Sequence, residues 1–361
     1  MSLFLFLSGL VLLVMALLTM VVAGDMLLSL HQWMGRIHMG RWKERGRWQQ
    51  ALRKQALKQL KSLPIVPIKG DVSYPFWNNH IRRKNRSRAL QSWQLAGLVM
   101  GLEKNDLTDD TRIINTFFNR DEQRPEIALL GFALKQKNLL TKAQEEAIYH
   151  SLETLTGPTG TILYRTNIPN VRFVDTIGFI CPFLYAAGKE ELADRQIKEY
   201  DRALFNGIFP AHAWHMQRNL PLGVFDWGRG VGWYILGCIA SEQHRDRCLR
   251  LAEHLLSLQR EDGSFGCFLF NLSSQKDSSA TVLAGILFAH VFQQCGDKRY
   301  GEAATKAEKA LMSMTRRNGL VDFAQGDTKG MGLYSDYFST MPFVQGMTLY
   351  LSKRLDDLLS R

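Results

Sequence analysis

The stretch Phe225-Asp226-Trp227-Gly228-Arg229-Gly230-Val231-Gly232-Trp233 sets two indoles on either side of a guanidinium, with three glycines between them. An indole offers a flat apolar face to the C–H side of a sugar ring, and one N–H donor. A guanidinium is a planar fork that matches a carboxylate, and glycine lets backbone come close to a ligand. Together these types describe a floor for an acidic sugar. They equally describe a glycine-rich helix start with both indoles in the core. A second candidate is Asp175, one carboxylate at the head of the apolar run Thr176 to Leu184. There it can cap a helix and interact with its dipole, or serve as a general acid whose surroundings lift its pKa towards neutrality. A third is His212-Ala213-Trp214-His215, two imidazoles and an indole that follow Gly207 in a loop. No nearby Cys, Asp or Glu completes a metal set around the two histidines, so neither metal nor other cofactor is expected. Hydrogen bonding to a sugar hydroxyl or carboxylate is one role for them, a solvent-facing loop the other.

The elements that must position these residues are helices. From about Ser87 onwards, apolar residues recur at three- and four-residue steps. The pattern predicts helices over Ala89–Leu102, Ile127–Leu134, Ala143–Leu155, Ile177–Ala187, Leu192–Leu204, Trp233–Ala240, Cys248–Leu258, Ala280–Phe292 and Ala303–Met314. No comparable set of alternating strands accompanies them. Gly160, Gly207, Gly263 and Gly319, spaced 47, 56 and 56 residues apart, punctuate the helices, each with an apolar or aromatic residue close behind. Glycine there suits a left-handed helix C-cap. A unit of two helices and a glycine-terminated loop is an αα-hairpin, and Ser87 to Leu355 has room for five or six. Open solenoids carry long polar concave faces. This chain instead concentrates aromatic and charged residues in the loops, which favours a closed ring: an all-α (α/α)6 toroid with its site at the mouth.

The 361 residues carry a formal net charge of +11, and its distribution is uneven. Residues 24–90 hold fifteen Lys and Arg against Asp25, Glu44 and Asp71, a net +12, whereas residues 91–361 come to −1. A neutral main domain argues against nucleic acid as partner. Residues 1–23 are uncharged and apolar, long enough as a helix to cross a ~30 Å bilayer core. They predict a transmembrane helix, although Val21 and Ala23 also fit a cleavage site. Nine Lys and Arg between Arg36 and Lys61 follow it. By the positive-inside tendency, the main domain lies on the cytoplasmic side of the inner membrane, behind a single span. The expected division is therefore a span over 1–23, a basic juxtamembrane helix and linker over 24–69, and a barrel over 70–361. Trp33, Trp42 and Trp48 among the bases suggest contact between that collar and anionic lipid, and Pro64 and Pro67 mark the linker. Five cysteines without a Cys-x-x-Cys pair read as free thiols.

Asp175-Thr176 followed by Cys181-Pro182-Phe183-Leu184, then His212-Ala213-Trp214, then Trp227-Gly228-Arg229-Gly230-Val231-Gly232-Trp233, resembles the unsaturated uronyl hydrolases of glycoside hydrolase families 88 and 105. Asp277-Ser278-Ser279-Ala280-Thr281 and Pro342-Phe343-Val344-Gln345-Gly346 extend the resemblance, in the family's order, to roughly residues 88–355. It departs at Val231, where the family usually carries Asn, and the acid expected on the earlier inner helix falls on Glu126. The resemblance implies an (α/α)6 barrel that hydrates a 4,5-unsaturated uronic acid at the end of an acidic oligosaccharide. It implies Asp175 as the general acid/base. His212, Trp214, Trp227, Arg229, Trp233 and Glu126 would then line the sugar and its carboxylate. Two alternatives stand beside it. One is a non-catalytic glycan-binding or scaffold protein working with polysaccharide-assembly proteins. The other is a hydrolase of saturated glycosides, pairing Asp175 with Asp226 or Glu126.

Overall fold

The computed structural model describes residues 2–63, 90–119, 124–328 and 330–359. The expected linker at Pro64 and Pro67 lies outside them. Helix α1 (Ser2–Arg36) comes first. After it, outer and inner helices alternate. Outer α2 (Arg45–Ser62) leads to inner α3 (Ser92–Gly101), and outer α4 (Lys104–Leu107) and α5 (Thr111–Phe118) to inner α6 (Glu126–Gln136). Outer α7 (Lys142–Thr154) precedes inner α8 (Val174–Ala186), and outer α9 (Glu190–Tyr200) precedes inner α10 (Gly228–Cys238). Outer α11 (Arg245–Leu258), inner α12 (Ser278–Cys295), outer α13 (Lys298–Ser313) and inner α14 (Pro342–Leu359) complete the order.

Among the described residues the inner helices pack in the cycle α3, α6, α8, α10, α12, α14 and back to α3. That is the closed (α/α)6 toroid. Every residue of α10 is buried, and so is every residue of α12 from Ser278 to Val291, as befits walls covered on both sides. The outer helices bury one stripe only, such as Ala193, Gln196, Ile197 and Tyr200 of α9.

Alternation makes the inner helices run the same way, so their N-termini share one end. Small antiparallel pieces decorate that end. Strands β1 (Val171–Phe173), β4 (Ala213–His215) and β5 (Leu220–Leu222) form one sheet with β4 central, and Arg172 faces Trp214 across it. Strand β2 (Leu204–Phe205) pairs with β3 (Phe209–Pro210), and β6 (Ala324–Gln325) with β7 (Phe338–Ser339).

The four punctuating glycines all have the left-handed φ the sequence calls for, between 68° and 90°. Their place differs from the expected C-cap. Each lies several residues beyond its helix, in a tight turn; Gly160, Gly263 and Gly319 donate to the carbonyls of Gly157, Arg260 and Arg316, three residues back. The turns close short hairpins, such as Thr156 with Ile162 and Thr315 with Val321, which carry the chain from an outer helix to the next inner one.

The barrel begins earlier than residue 70. Trp48, Leu52, Ala56 and Leu60, four residues apart along α2, are fully buried in the main core. Trp48 Nε1 donates to Thr315 Oγ1 at 3.0 Å, and Gln345 Nε2 donates to Leu52 O at 3.1 Å. Helix α2 is the outer helix of the ring's first hairpin. Two of its six basic residues face acids of the barrel: Arg45 pairs with Glu308 and Asp356, and Arg53 with Asp106, while Arg47, Lys54, Lys58 and Lys61 are exposed. Of the three collar tryptophans, Trp48 is therefore a core residue. Trp42 packs against the core and donates to Arg316 O at 3.1 Å. Only Trp33 is exposed.

Candidate active site

Consecutive inner helices bring their polar first turns together at the mouth. Glu126 opens α6, Asp175 lies in the first turn of α8, Trp227 precedes α10 with Arg229 just inside it, and Asp277 caps α12. Each such helix end carries the positive end of a dipole, which favours anions.

Asp175 follows strand β1, where Phe173 adopts an extended conformation before the helix begins. Its side chain is 16 % exposed, and its Oδ2 is buried with no hydrogen-bond partner among the described residues. Burial is the main reason its pKa rises to about 7; Asp327 and Glu126 push the same way, and its own backbone N–H and the Arg229 cation oppose them. Near neutrality this carboxyl holds and releases a proton.

His212 Nε2 stands 3.7 Å from Asp175 Oδ2. The imidazole is buried, which, with the Arg229 charge nearby, lowers its pKa to about 4. It is neutral where Asp175 titrates, so the two do not form an ion pair there. Val224 N–H donates to Tyr334 Oη at 3.1 Å, and that hydroxyl lies 3.2 Å from His212 Nδ1. The tautomer in which Tyr334 donates to Nδ1 places the imidazole N–H on Nε2, facing Asp175. The ring also packs 4.5 Å from Trp227 and 5.4 Å from Tyr334, centroid to centroid.

Trp227 and Arg229 are both held by one residue that sequence reasoning does not single out. Gln325, in β6, accepts from Trp227 Nε1 through Oε1 at 2.8 Å and from Arg229 Nη1 through its carbonyl at 2.5 Å. Its own N–H donates to Asp277 at 3.1 Å. Arg229 Nη2 donates to Gly326 O at 2.9 Å, and the guanidinium lies 5.4 Å from the Trp227 ring. The fork expected to meet a carboxylate thus rests on main-chain carbonyls, and the residue is 1 % exposed. From there its positive charge still acts on Asp175, His212 and Asp277.

The other expected residues divide. Glu126 lies at the mouth, buried, with Oε1 3.1 Å from Arg165 Nη2 and Oε2 without a partner among the described residues. Asp226 accepts from Phe270 N–H at 3.2 Å, a loop contact. Trp233 lies deeper on α10, against Trp93, Phe179 and Phe343 with centroids 4.8–5.4 Å away. Trp214 is buried in β4. Both indoles fill the core. Tyr334, Gln325 and Tyr164 join the site without a motif to announce them; the Arg165 guanidinium covers the Tyr164 ring at 4.1 Å.

No protein-family model matches the sequence, and no curated protein does. Solved structures do match. One described as a possible member of glycoside hydrolase family 105, from Klebsiella pneumoniae, superposes with a TM-score of 0.68 at 16% identity, covering 88% of this chain and 95% of that one. An unsaturated glucuronyl hydrolase specific for heparin gives 0.66 at 13% identity, over 87% and 98%. One from Bacillus sp. GL1, responsible for glycosaminoglycan degradation, gives 0.58 at 17% identity, over 86% and 96%. The chain has the fold of the unsaturated uronyl hydrolases. In that fold the acids at the first turns of α6 and α8, Glu126 and Asp175, stand on neighbouring inner helices at one mouth, and the Gln345-Gly346 segment acquires a physical role. Gln345 is fully buried, donates to Leu52 O and Gly319 O, and accepts from Val321 N–H. It knots the first hairpin to the last.

Proposed function

We propose that this protein is a membrane-anchored unsaturated uronyl hydrolase, which hydrates a terminal 4,5-unsaturated uronic acid of an acidic oligosaccharide. The observation that carries the reading is Asp175: a mouth carboxyl with an unpartnered oxygen, lifted to about 7 by burial and set against a neutral imidazole. One group that can both give and take a proton near neutrality suits the addition of water across an enol ether. Asp175 gives its proton to C4, and positive charge gathers at C5 and the ring oxygen. Water then adds at C5, its proton returning to the Asp175 carboxylate. The C5 hemiketal opens to a ketone, and C1 releases the neighbouring sugar. The carboxylate formed in the first step is the counter-charge for the cationic centre. Helix N-termini around the mouth and the Arg229 cation supply a field suited to the substrate's own carboxylate. The fold of the glucuronyl hydrolases agrees with this chemistry. Helix α1, long and apolar enough to cross a bilayer and with that surface exposed, would be the anchor.

The test follows the ultraviolet absorbance of the substrate's double bond. Wild type should consume an unsaturated uronide disaccharide, and Asp175→Asn should slow turnover by roughly 10²–10⁴-fold, the range for loss of a general acid. Unchanged turnover in that variant removes Asp175 from the mechanism. Binding of saturated chains with no turnover of any unsaturated one would replace the enzyme with a glycan-binding protein.

A further inference from the structure

Helix α1 is clamped to the barrel at its end. Arg36 Nε and Nη2 donate to the two oxygens of Asp322 at 3.0 and 2.9 Å, and Nη2 donates to Phe338 O at 2.6 Å. Asp322 is fully buried and shared with Arg316. Two residues on begins β6, whose Gln325 holds Trp227 and Arg229; Phe338 belongs to its partner strand. Just past α1, Gly40 N–H donates to Thr315 O. All these partners lie between outer helix α13 and inner helix α14, hence at the mouth end.

From that rim α1 runs for 35 residues, about 50 Å at the helical rise. Val21, Gly24, Asp25 and Leu28, one face of the helix nearer the clamp, are half-buried, whereas its most apolar stretch is 0% buried and so stands clear of the barrel wall. Met26, Leu27, Leu30, Trp33 and Ile37 are exposed and carry a lipid-compatible stripe up to the clamp. Arg41, Lys43 and Arg317 are exposed around it, placed for anionic headgroups.

We propose that Arg36 and Asp322 hold the barrel mouth-first against the bilayer, so that the sugar end reaching Asp175 is one presented at the membrane surface. The orientation rests on the anchor role of α1, and the identity of the sugar rests on the uronyl hydrolase reading.

The full chain is placed in nanodiscs of phosphatidylcholine and phosphatidylserine that contain a headgroup-nitroxide lipid. A fluorophore is attached to Cys295, an exposed thiol at the far end of α12, or, in a Cys295→Ser background, to Leu333→Cys in the mouth loop. The mouth label should be quenched several-fold more than the Cys295 label. Equal quenching, or stronger quenching at Cys295, overturns the orientation. Arg36→Gln should bring the two labels towards equality while the chain stays with the disc; an unchanged ratio overturns the clamp. In a second arm, an unsaturated uronide disaccharide is attached by a short linker to lipid in the same disc. It should be consumed, and failure to consume it while the free disaccharide is turned over overturns presentation at the surface. Quenching needs no turnover, so an inactive protein would sink the hydrolase reading and leave the orientation standing.

Discussion

Asp175 is where chemistry and stability meet. Its pKa of about 7 in the folded chain compares with an ordinary carboxyl near 4 once unfolded. Between those values the folded state binds the extra proton, so stability from this group is full at low pH and is lost as pH climbs towards 7. Above that, the ionised buried carboxylate is a net cost. Asp175→Asn removes the cost, so its melting temperature should exceed wild type's at about pH 8 and the gap should close by about pH 4. Three pKa units bound the gain at about 4 kcal/mol, and calorimetry across that pH range reads it. A gain independent of pH would place the titration elsewhere. In wild type, kcat/KM should fall as pH rises through about 7. His212, near 4, adds no second limb in the neutral range. A profile that instead rises through neutrality would show that the reaction needs this carboxyl ionised. Asp175, His212 and Trp227 were legible in the sequence because each sits at a break in the helical pattern. Trp233 and Trp214 were not separable from them, since an indole's type is the same in a core as under a sugar. Tyr334 and Gln325 reach the site from about a hundred residues further along, a distance over which no local spacing speaks.

Helix α2 shows what a charge count sees and what it overlooks. Composition and the lack of proline predict a helix over Trp42–Leu63, and the structure has one over Arg45–Ser62. The excess of positive charge suggests lipid as its partner. Two of its six cations face protein instead: Arg45 and Arg53 pair with Glu308 and Asp106, acids of the main domain whose side chains are only 5% and 4% exposed. Summing charge by segment hides pairing between segments. The stripe Trp48, Leu52, Ala56, Leu60 was the available signal, because four-residue apolar spacing marks a face that needs a neighbour. A chain begun at residue 64 would leave Gln345, Thr315 and a wide apolar groove without cover. It should be recovered as aggregate or without a cooperative melt, whereas one begun at residue 41 should melt cooperatively. In the intact chain, Trp48→Ala should cost about 3–5 kcal/mol, read by urea denaturation. A well-folded product from residue 64 onwards would show that α2 is dispensable to the ring.

A ring of hairpins stands or falls on its seam, where α3 meets α14 about 250 residues later in the chain. The periodic pattern could count hairpins, but with α2 left out as a collar it could not say how the last one finds the first. Three glycines make the closure possible. A Cβ at Gly346 would run into the Gly97 carbonyl, one at Gly101 would meet the Gly346 carbonyl, and one at Gly97 would lie 2.7 Å from Phe343. The obstacle includes backbone in all three cases, so no side chain can turn aside to make room. Gly346→Ala must therefore push two core helices apart and strain the Gln345 bonds to Leu52, Gly319 and Val321 beside it. We expect a loss of about 1–3 kcal/mol, the usual cost of overpacking, or more if the seam opens. Gly46→Ala is the matched control, on an outer helix with open space around the added methyl, where alanine's higher helix propensity should gain up to about 1 kcal/mol. Parallel urea titrations of the two variants measure the difference. If Gly346→Ala is as stable as Gly46→Ala, the ring does not close through α3 and α14, and the common mouth that collects Glu126, Asp175 and Asp277 loses its geometric basis.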